Sequence, residues 1–474
     1  MAIEWTKEQK RAIETRGCNV LVAAAAGSGK TAVLVERIVQ LITDEAHPTD
    51  IDKMLVTTFT EAAASKMKHE IAQALEKRLE ATPSDKNLAR QLVLLDNAKI
   101  CTVHAFCMRL VRTGFQKLDI EPDFSIGDDG EMKLLLEKSV DVLFEELYEA
   151  GDEGFLDLLE SYTTARSDFG LRDILLKLYH FASSLPFKSD YFENVNALYH
   201  VEDMHTHPWF GLICELSALR VRSSIVSLQR CLEYSLLYDG MIKYTQALEE
   251  EIADLNQLLL LLKSGEFDRV GTLARSFKLR RAATVKGDVS EVRKKQISEQ
   301  RKAVSKLVGE IGNNYFPEDT ERMLADLQDC GKKALSIGRM VERLDEIYME
   351  ETKRRGVFDF SDLEHMAVRL LCERDAQGNT VPSAEAKEIA AGLDYILVDE
   401  FQDTNELQET IFSMISRGDN LFMVGDVKQS IYISVTRIRI FLKVKKIPTA
   451  IRKAKTEESL CRITSVAEIV SLPA

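Results

Sequence analysis

Ala23-Ala24-Ala25-Ala26-Gly27-Ser28-Gly29-Lys30-Thr31 is the stretch that decides the fold. It follows the apolar run Asn19-Val20-Leu21-Val22 and opens an amphipathic segment from Ala32 to Leu41. A strand, a glycine-bearing turn and a helix start, in that order, let backbone N–H groups turn inward around phosphates. Lys30 supplies a point charge to the β and γ phosphates. Thr31 offers a hydroxyl to Mg²⁺, and the helix N-terminus adds its dipole. The first glycine of the usual pattern is Ala24 here. The bland alternative is a small-residue turn packing a helix on a sheet.

The partner motif lies far along the chain. Tyr395-Ile396-Leu397-Val398 reads as a buried strand, and Asp399-Glu400-Phe401-Gln402-Asp403-Thr404 follows it. Asp399 at the strand tip suits Mg²⁺ held through water. Glu400 beside it suits the polarisation of an attacking water, the base that phosphoanhydride hydrolysis requires. Alone, an Asp-Glu pair after a strand is as readily a solvated strand end; beside a phosphate loop it is a hydrolytic pair. A further strand, Leu421-Phe422-Met423-Val424, runs into Gly425-Asp426-Val427-Lys428-Gln429-Ser430-Ile431-Tyr432. Gln429 there either reports the γ phosphate or sits in a plain turn.

Outward from these motifs, the 474 residues amount to roughly three domains' worth of chain. Hydrophobic residues make up 45% and charged residues 29%, ordinary globular usage. No apolar run reaches bilayer length and no signal peptide is evident, so no membrane is expected. The eight cysteines form no CxxC pair, which fits reduced thiols in a cytoplasm. A net charge of −14 argues against a passive nucleic-acid coat but leaves room for a local basic groove.

The pattern predicts an α/β class with a parallel sheet, interrupted by a large all-helical insertion. Residues 1–117 alternate strands and helices, including Met54-Leu55-Val56-Thr57-Thr58 and Ala98-Lys99-Ile100-Cys101-Thr102. Residues 118–344 read as helical, with Leu255-Leu258-Leu259-Leu262 and Met323-Leu324-Leu327 at helical spacing. Residues 345–432 return to strands, and 433–474 form a divergent tail without strand–turn–helix rhythm.

These strings together resemble the UvrD-like helicases of superfamily 1, a RecA-like P-loop fold. Within them they look most like the AddA subunits of bacterial helicase–nuclease complexes, relatives of RecB. Trp5-Thr6-Lys7-Glu8-Gln9 is similar to the segment whose glutamine, here Gln9, reads the adenine edge of ATP. Thr57-Thr58-Phe59-Thr60-Glu61-Ala62-Ala63-Ala64-Ser65-Lys66-Met67 resembles motif Ia, and Thr102-Val103-His104-Ala105-Phe106-Cys107 resembles motif Ib. Both contact single-stranded DNA in the family. Phe358-Asp359-Phe360-Ser361-Asp362-Leu363 resembles the segment before the carboxylate strand. The resemblance implies a 3'–5' motor of double-strand-break repair and recombination, using ATP and Mg²⁺. It also implies duplex and single-stranded DNA as partners, an AddB-type nuclease subunit, and a nucleoid-associated place in a bacterial cytoplasm. The phosphate loop, Ala23 through Thr31, would hold the nucleotide. Arg37 would flank it, the alternative being a surface arginine.

A motor on single strands needs stacking platforms and phosphate contacts. Thr58, Phe59, Thr60, Thr102, His104 and Tyr432 are the candidates for DNA. Phe59 is either a stacking platform or a core aromatic; His104 is either a phosphate ligand or a satisfied structural histidine. Lys278, Arg280, Arg281, Lys286, Arg293, Lys294, Lys295, Arg301, Lys302 and Lys306 make one basic window. It reads as a duplex grip or as a solvated helix face.

Past Tyr432 the sequence leaves the pattern. The family continues with arginine, an aromatic and arginine, whereas this chain has Ile433-Ser434-Val435. The expectation is a chain truncated or frame-shifted before the second RecA-like domain and its arginine finger. Two functions follow: an ATP-dependent helicase subunit, or a remnant that binds ATP and DNA without unwinding.

Overall fold

The computed structural model describes residues 4–24, 28–44, 46–162, 168–237, 244–281, 291–426 and 468–472. Five of the six strands in its main sheet are those read from the sequence. They are β1 (Val20–Ala24), β2 (Met54–Thr58), β3 (Lys99–Thr102), β4 (Tyr395–Val398) and β5 (Leu421–Gly425). With β6 (Glu468–Leu472) they stand in the order β6-β1-β5-β4-β2-β3, every neighbouring pair parallel.

The near-continuous apolar runs of these strands have a simple cause: both faces of the sheet are covered. Alternate side chains enter different cores. Val20, Val22, Met54, Val56, Leu397, Phe422 and Val424 pack with helices Lys7–Glu14, Lys30–Ile42 and Glu61–Ala81. Leu21, Leu55, Ile396 and Val398 pack on the other side with Val103–Thr113, Phe360–Leu371 and Glu406–Ile415.

β6 lies within 433–474, the stretch read from the sequence as a divergent tail without strand–turn–helix rhythm. Ile469 and Val470 are β-branched, and Glu468–Leu472 pairs residue for residue with Val20–Ala24. The rest of 433–474 lies outside the described residues.

Contacts divide the chain into two units, 1–150 with 172–188 and 341–474, and 151–171 with 189–340. The second unit lies inside the expected bounds 118–344, beginning later at 151 and ending earlier at 340. Local pairing explains why. Ser125–Ile126 pairs in parallel with Val357–Phe358. Arg343 holds Glu146 through two 3.0 Å hydrogen bonds, and Arg172 reaches Asp141 at 2.7 Å.

Among the described residues of the second unit the only regular structure is helical. Helix Pro208–Leu237 packs on Thr245–Ser264, with Leu255, Leu258 and Leu262 buried as their spacing predicts. Arg301 from the basic window is buried here, 2.5 Å from Glu251, and donates to the Arg280 carbonyl. Arg280 also pairs with Asp254 at 2.7 Å. Arg301 is therefore a core ion pair rather than part of a grip. Lys286 lies outside the described residues.

In the first unit, helix Phe360–Leu371 opens with a reciprocal cap. Asp362 N–H donates to Asp359 at 2.7 Å, and Asp359 N–H donates to the Asp362 carboxyl at 2.9 Å. Burial, and after it the charge of Asp359, pushes the Asp362 carboxyl up to about 8. The folded chain thus keeps a proton that the unfolded chain has already released. This contribution to stability is full below about pH 4 and is lost as pH rises through about 8. Asp362→Asn keeps the acceptor and removes the titration. We expect the variant's urea midpoint to lose the decline between these limits; an unchanged pH profile would count against a protonated Asp362.

Candidate nucleotide and DNA site

Every expected site residue within the described residues, apart from Gln9 and Arg37, stands at or just past the carboxyl end of a sheet strand. Ligands bind at that edge of an open parallel sheet. Along the edge come the phosphate loop after β1, Asp426 after β5, Asp399 and Glu400 after β4, Phe59 after β2 and His104 after β3. Registers align these ends: Ala23 with Gly425, Val398 with Met423, Thr57 with Val398, and Thr58 with Thr102.

On the nucleotide side, Gly29 sits in the left-handed region (φ 79°) and caps helix Lys30–Ile42 without a side chain. That conformation favours glycine and leaves the first helical amides facing the loop. Lys30, its side chain only 11% exposed, places Nζ 2.9 Å from Glu400 Oε2. The residues read as ammonium and water base thus meet, from opposite ends of the sequence. Thr31 is the next helical residue. Ser28 Oγ is buried and has no hydrogen-bond partner among the described residues, an orphan that a phosphate oxygen would satisfy. Ala25, Ala26, Gly27, Gln429 and Tyr432 lie outside the described residues, and of Ala23 and Ala24 the strand places the backbone.

Asp399 donates its N–H to the Thr57 carbonyl at 2.9 Å and accepts from the Glu400 N–H at 3.0 Å. Burial first, and the neighbouring Glu400 charge second, raise its carboxyl to about 6. A divalent cation at this position would favour the ionised form. Glu400 has φ 53°, a strained conformation for a residue with a side chain. Held this way, its carboxylate turns back toward Lys30.

Gln9 Nε2 donates to the Ser28 carbonyl at 3.2 Å, and its Oε1 accepts from Thr6 N–H at 2.9 Å in a capping box. It therefore adjoins the loop. Arg37 is different. It is 1% exposed, donates to the Ala12 and Ile13 carbonyls at 2.7 and 3.2 Å, and lies 4.3 Å over the Phe422 ring. Burial, then Arg16, lowers its pKa to about 9. Arg37 is therefore not a surface arginine; it ties helix Lys7–Glu14 to the core, and its guanidinium is enclosed.

On the DNA side, Phe59 is 65% exposed, which removes the core alternative. Thr60 and Thr102 cap the helices that follow them, accepting from Ala63 and Ala105 N–H at 3.1 Å each. Thr58 is buried and its hydroxyl donates to the Thr60 carbonyl at 3.0 Å. These threonines shape the turns. His104 stacks on Phe360 at 4.5 Å and places Nε2 3.2 Å from Glu364.

Two residues went unassigned in the sequence. Gln402 Nε2 reaches Glu400 Oε2 at 2.5 Å and Asp403 at 3.1 Å, while its Oε1 accepts from Asp426 N–H at 2.8 Å. Glu364, 2% exposed, accepts from Asn405 and Gln408. Its signal was a carboxylate on the apolar face shared by Leu363, Ala367, Val368 and Leu371.

A lysine held against a strand-end carboxylate pair, with the loop two strands away in one parallel sheet, is the construction of a RecA-like P-loop nucleotide hydrolase domain. The match to known proteins is narrower. The UvrD/REP helicase N-terminal domain matches residues 5–203 and 224–446, and the chain belongs to that family. It is 40% identical over 440 residues to an ATP-dependent helicase/nuclease subunit from Thermoanaerobacter sp. (strain X514), covering 91% of this chain and 35% of that protein. Proteins of the same name from Clostridium perfringens (strain 13 / Type A) and Acetivibrio thermocellus are each 37% identical, over 446 and 439 residues, with 91% and 90% of this chain and 35% of each relative covered. The chain spans 35% of the length of these curated relatives. Among the described residues no helix is long and apolar enough to cross a membrane.

Proposed function

We propose that this chain forms the nucleotide-binding motor domain of an ATP-driven DNA helicase of the AddA type. The observation that carries the reading is Lys30 and Glu400 meeting at 2.9 Å on the sheet edge that also presents Phe59 and His104. Lys30, Ser28 and the amides after Gly29 bind the phosphates, and Gln9 meets the adenine. The Thr31 hydroxyl and Asp399 would hold Mg²⁺, which would supply neutralising charge at the phosphates. Glu400 takes the proton of the attacking water once the triphosphate has drawn Lys30 away. The helical unit is an insertion in this motor. In the longer proteins a second RecA-like domain and an AddB-type partner complete a 3'–5' machine of break repair, working in the bacterial cytoplasm on the nucleoid.

Phe59 offers an exposed ring to a nucleobase, and such stacking is worth about 1–3 kcal/mol per base. We expect Phe59→Ala to weaken oligothymidylate binding roughly tenfold with no change in nucleotide affinity. Fluorescence titration measures it, and equal affinity would remove Phe59 from the DNA path. The reading as a whole is tested by steady-state hydrolysis of ATP with and without single-stranded DNA. Binding of both ligands without hydrolysis would leave the non-catalytic reading.

A further inference from the structure

Glu364 has no place in the reaction just described, yet it is built as a junction. Its carboxylate is buried and receives three polar groups from two separate segments: His104 Nε2 at 3.2 Å, Asn405 Nδ2 at 2.8 Å and Gln408 Nε2 at 2.6 Å. His104 lies in the first turn of helix Val103–Thr113, directly after β3, on the DNA side. Asn405 caps helix Glu406–Ile415, accepting from Gln408 N–H at 2.8 Å. Between Asn405 and Glu400 runs one tight turn, Phe401–Asp403, closed by Asp403 N–H on the Glu400 carbonyl at 2.9 Å and Thr404 Oγ on the Phe401 carbonyl at 2.8 Å. Gln402 in that turn grips the Glu400 carboxylate.

Burying a carboxylate costs far more than burying a leucine, so stability alone does not call for one here. Burial pushes the Glu364 carboxyl up, but hydrogen bonds from His104, Gln408 and Asn405 outweigh it and keep the group below its ordinary value. It is a charge with divided partners.

We propose that Glu364 is the positioning residue through which single-stranded DNA at His104 and nucleotide at Glu400 influence one another. A DNA phosphate competes with Glu364 for the His104 imidazole. When the imidazole shifts toward the phosphate, Glu364 recentres on the amides of Asn405 and Gln408. That moves the helix cap and, through the 401–404 turn, Glu400. The path works in reverse, because coupling between two binding sites is reciprocal. This inference rests on the reading of His104 as a DNA contact and Glu400 as part of the nucleotide site.

The test is a binding cycle on the full chain. Oligothymidylate affinity is measured with and without a Mg²⁺-bound non-hydrolysable ATP analogue, and the ratio of the two constants is the coupling. We expect a wild-type ratio of about fivefold or more, and Glu364→Gln to reduce it below about twofold while each ligand alone binds within about threefold of wild type. Asn405→Ser keeps a capping oxygen but loses the amide that reaches Glu364. It should reduce the ratio in the same way, and it guards against a Glu364→Gln chain that fails to fold. A wild-type ratio of one, or a ratio unchanged in the variants, overturns the proposal. A wild-type chain that binds no DNA overturns the underlying reading of His104 and this inference with it. Weakened binding of one ligand with the coupling ratio unchanged would reduce Glu364 to a structural role and also overturn it.

Discussion

Replacing Lys30 with alanine is expected to weaken Mg-ATP binding roughly a hundredfold. A hydrogen bond to a charged group contributes about 1.5–3 kcal/mol, and about 1.4 kcal/mol is a factor of ten. Lys30 is a good candidate for the upper part of that range, since its side chain is 11% exposed. Its ammonium already faces the carboxylate of Glu400 at 2.9 Å. In the wild type the triphosphate must compete with that carboxylate, so the measured loss will be smaller than the full strength of the phosphate contact. In the variant Glu400 keeps the donor Gln402, so the fold should survive. Calorimetry on both proteins, with thermal melting as the control, gives the answer. Equal affinity in a folded Lys30→Ala chain would remove Lys30 from the phosphate site.

How much of this could be read in advance depends on whether a residue's role is local. The strands of the main sheet were legible because being buried on both faces leaves an unbroken apolar run, as in Leu55-Val56 or Ile396-Leu397. The candidate phosphate loop and the Asp399-Glu400 pair were legible as motifs because phosphate chemistry asks for fixed residue types at strand ends. Arg37 was not legible. It sits on an amphipathic helix at a position that sequence alone leaves open, and its burial comes from the carbonyls of Ala12 and Ile13 on another helix. Arg301 misled in the same way, because its partner Glu251 lies on a different helix. Glu364 and Gln402 stood within or beside quoted strings but carried no role. His104 is brought to Glu364 by the packing of helix Val103–Thr113 on Phe360–Leu371, and Asp426 to Gln402 by the pairing of β5 with β4. The unit boundaries shifted for the same reason: a two-residue strand pair and two arginines, invisible to periodicity, tie 118–150 and 172–188 to the first unit.

Glu400→Gln is expected to abolish most ATP hydrolysis while leaving nucleotide binding intact or tighter. A positioned general base contributes about 10²–10⁴ in rate, and a carboxamide cannot accept the proton. Glutamine fits the same space, and the φ of 53° is no harder for it than for glutamate. Two electrostatic consequences separate this variant from simple damage. Lys30 loses the competing carboxylate, so the phosphates gain undivided access to its ammonium. Asp399 loses the second of the two causes that raise it to about 6, leaving burial alone, so its carboxyl should ionise at lower pH than in the wild type. Single-turnover hydrolysis with the chain in excess should slow by about a hundredfold or more, while calorimetry shows Mg-ATP affinity at or above the wild-type value. Hydrolysis at the wild-type rate would show that the water is activated elsewhere. A fall in affinity matching the fall in rate would mean that Glu400 shapes the phosphate site and does not serve as its base.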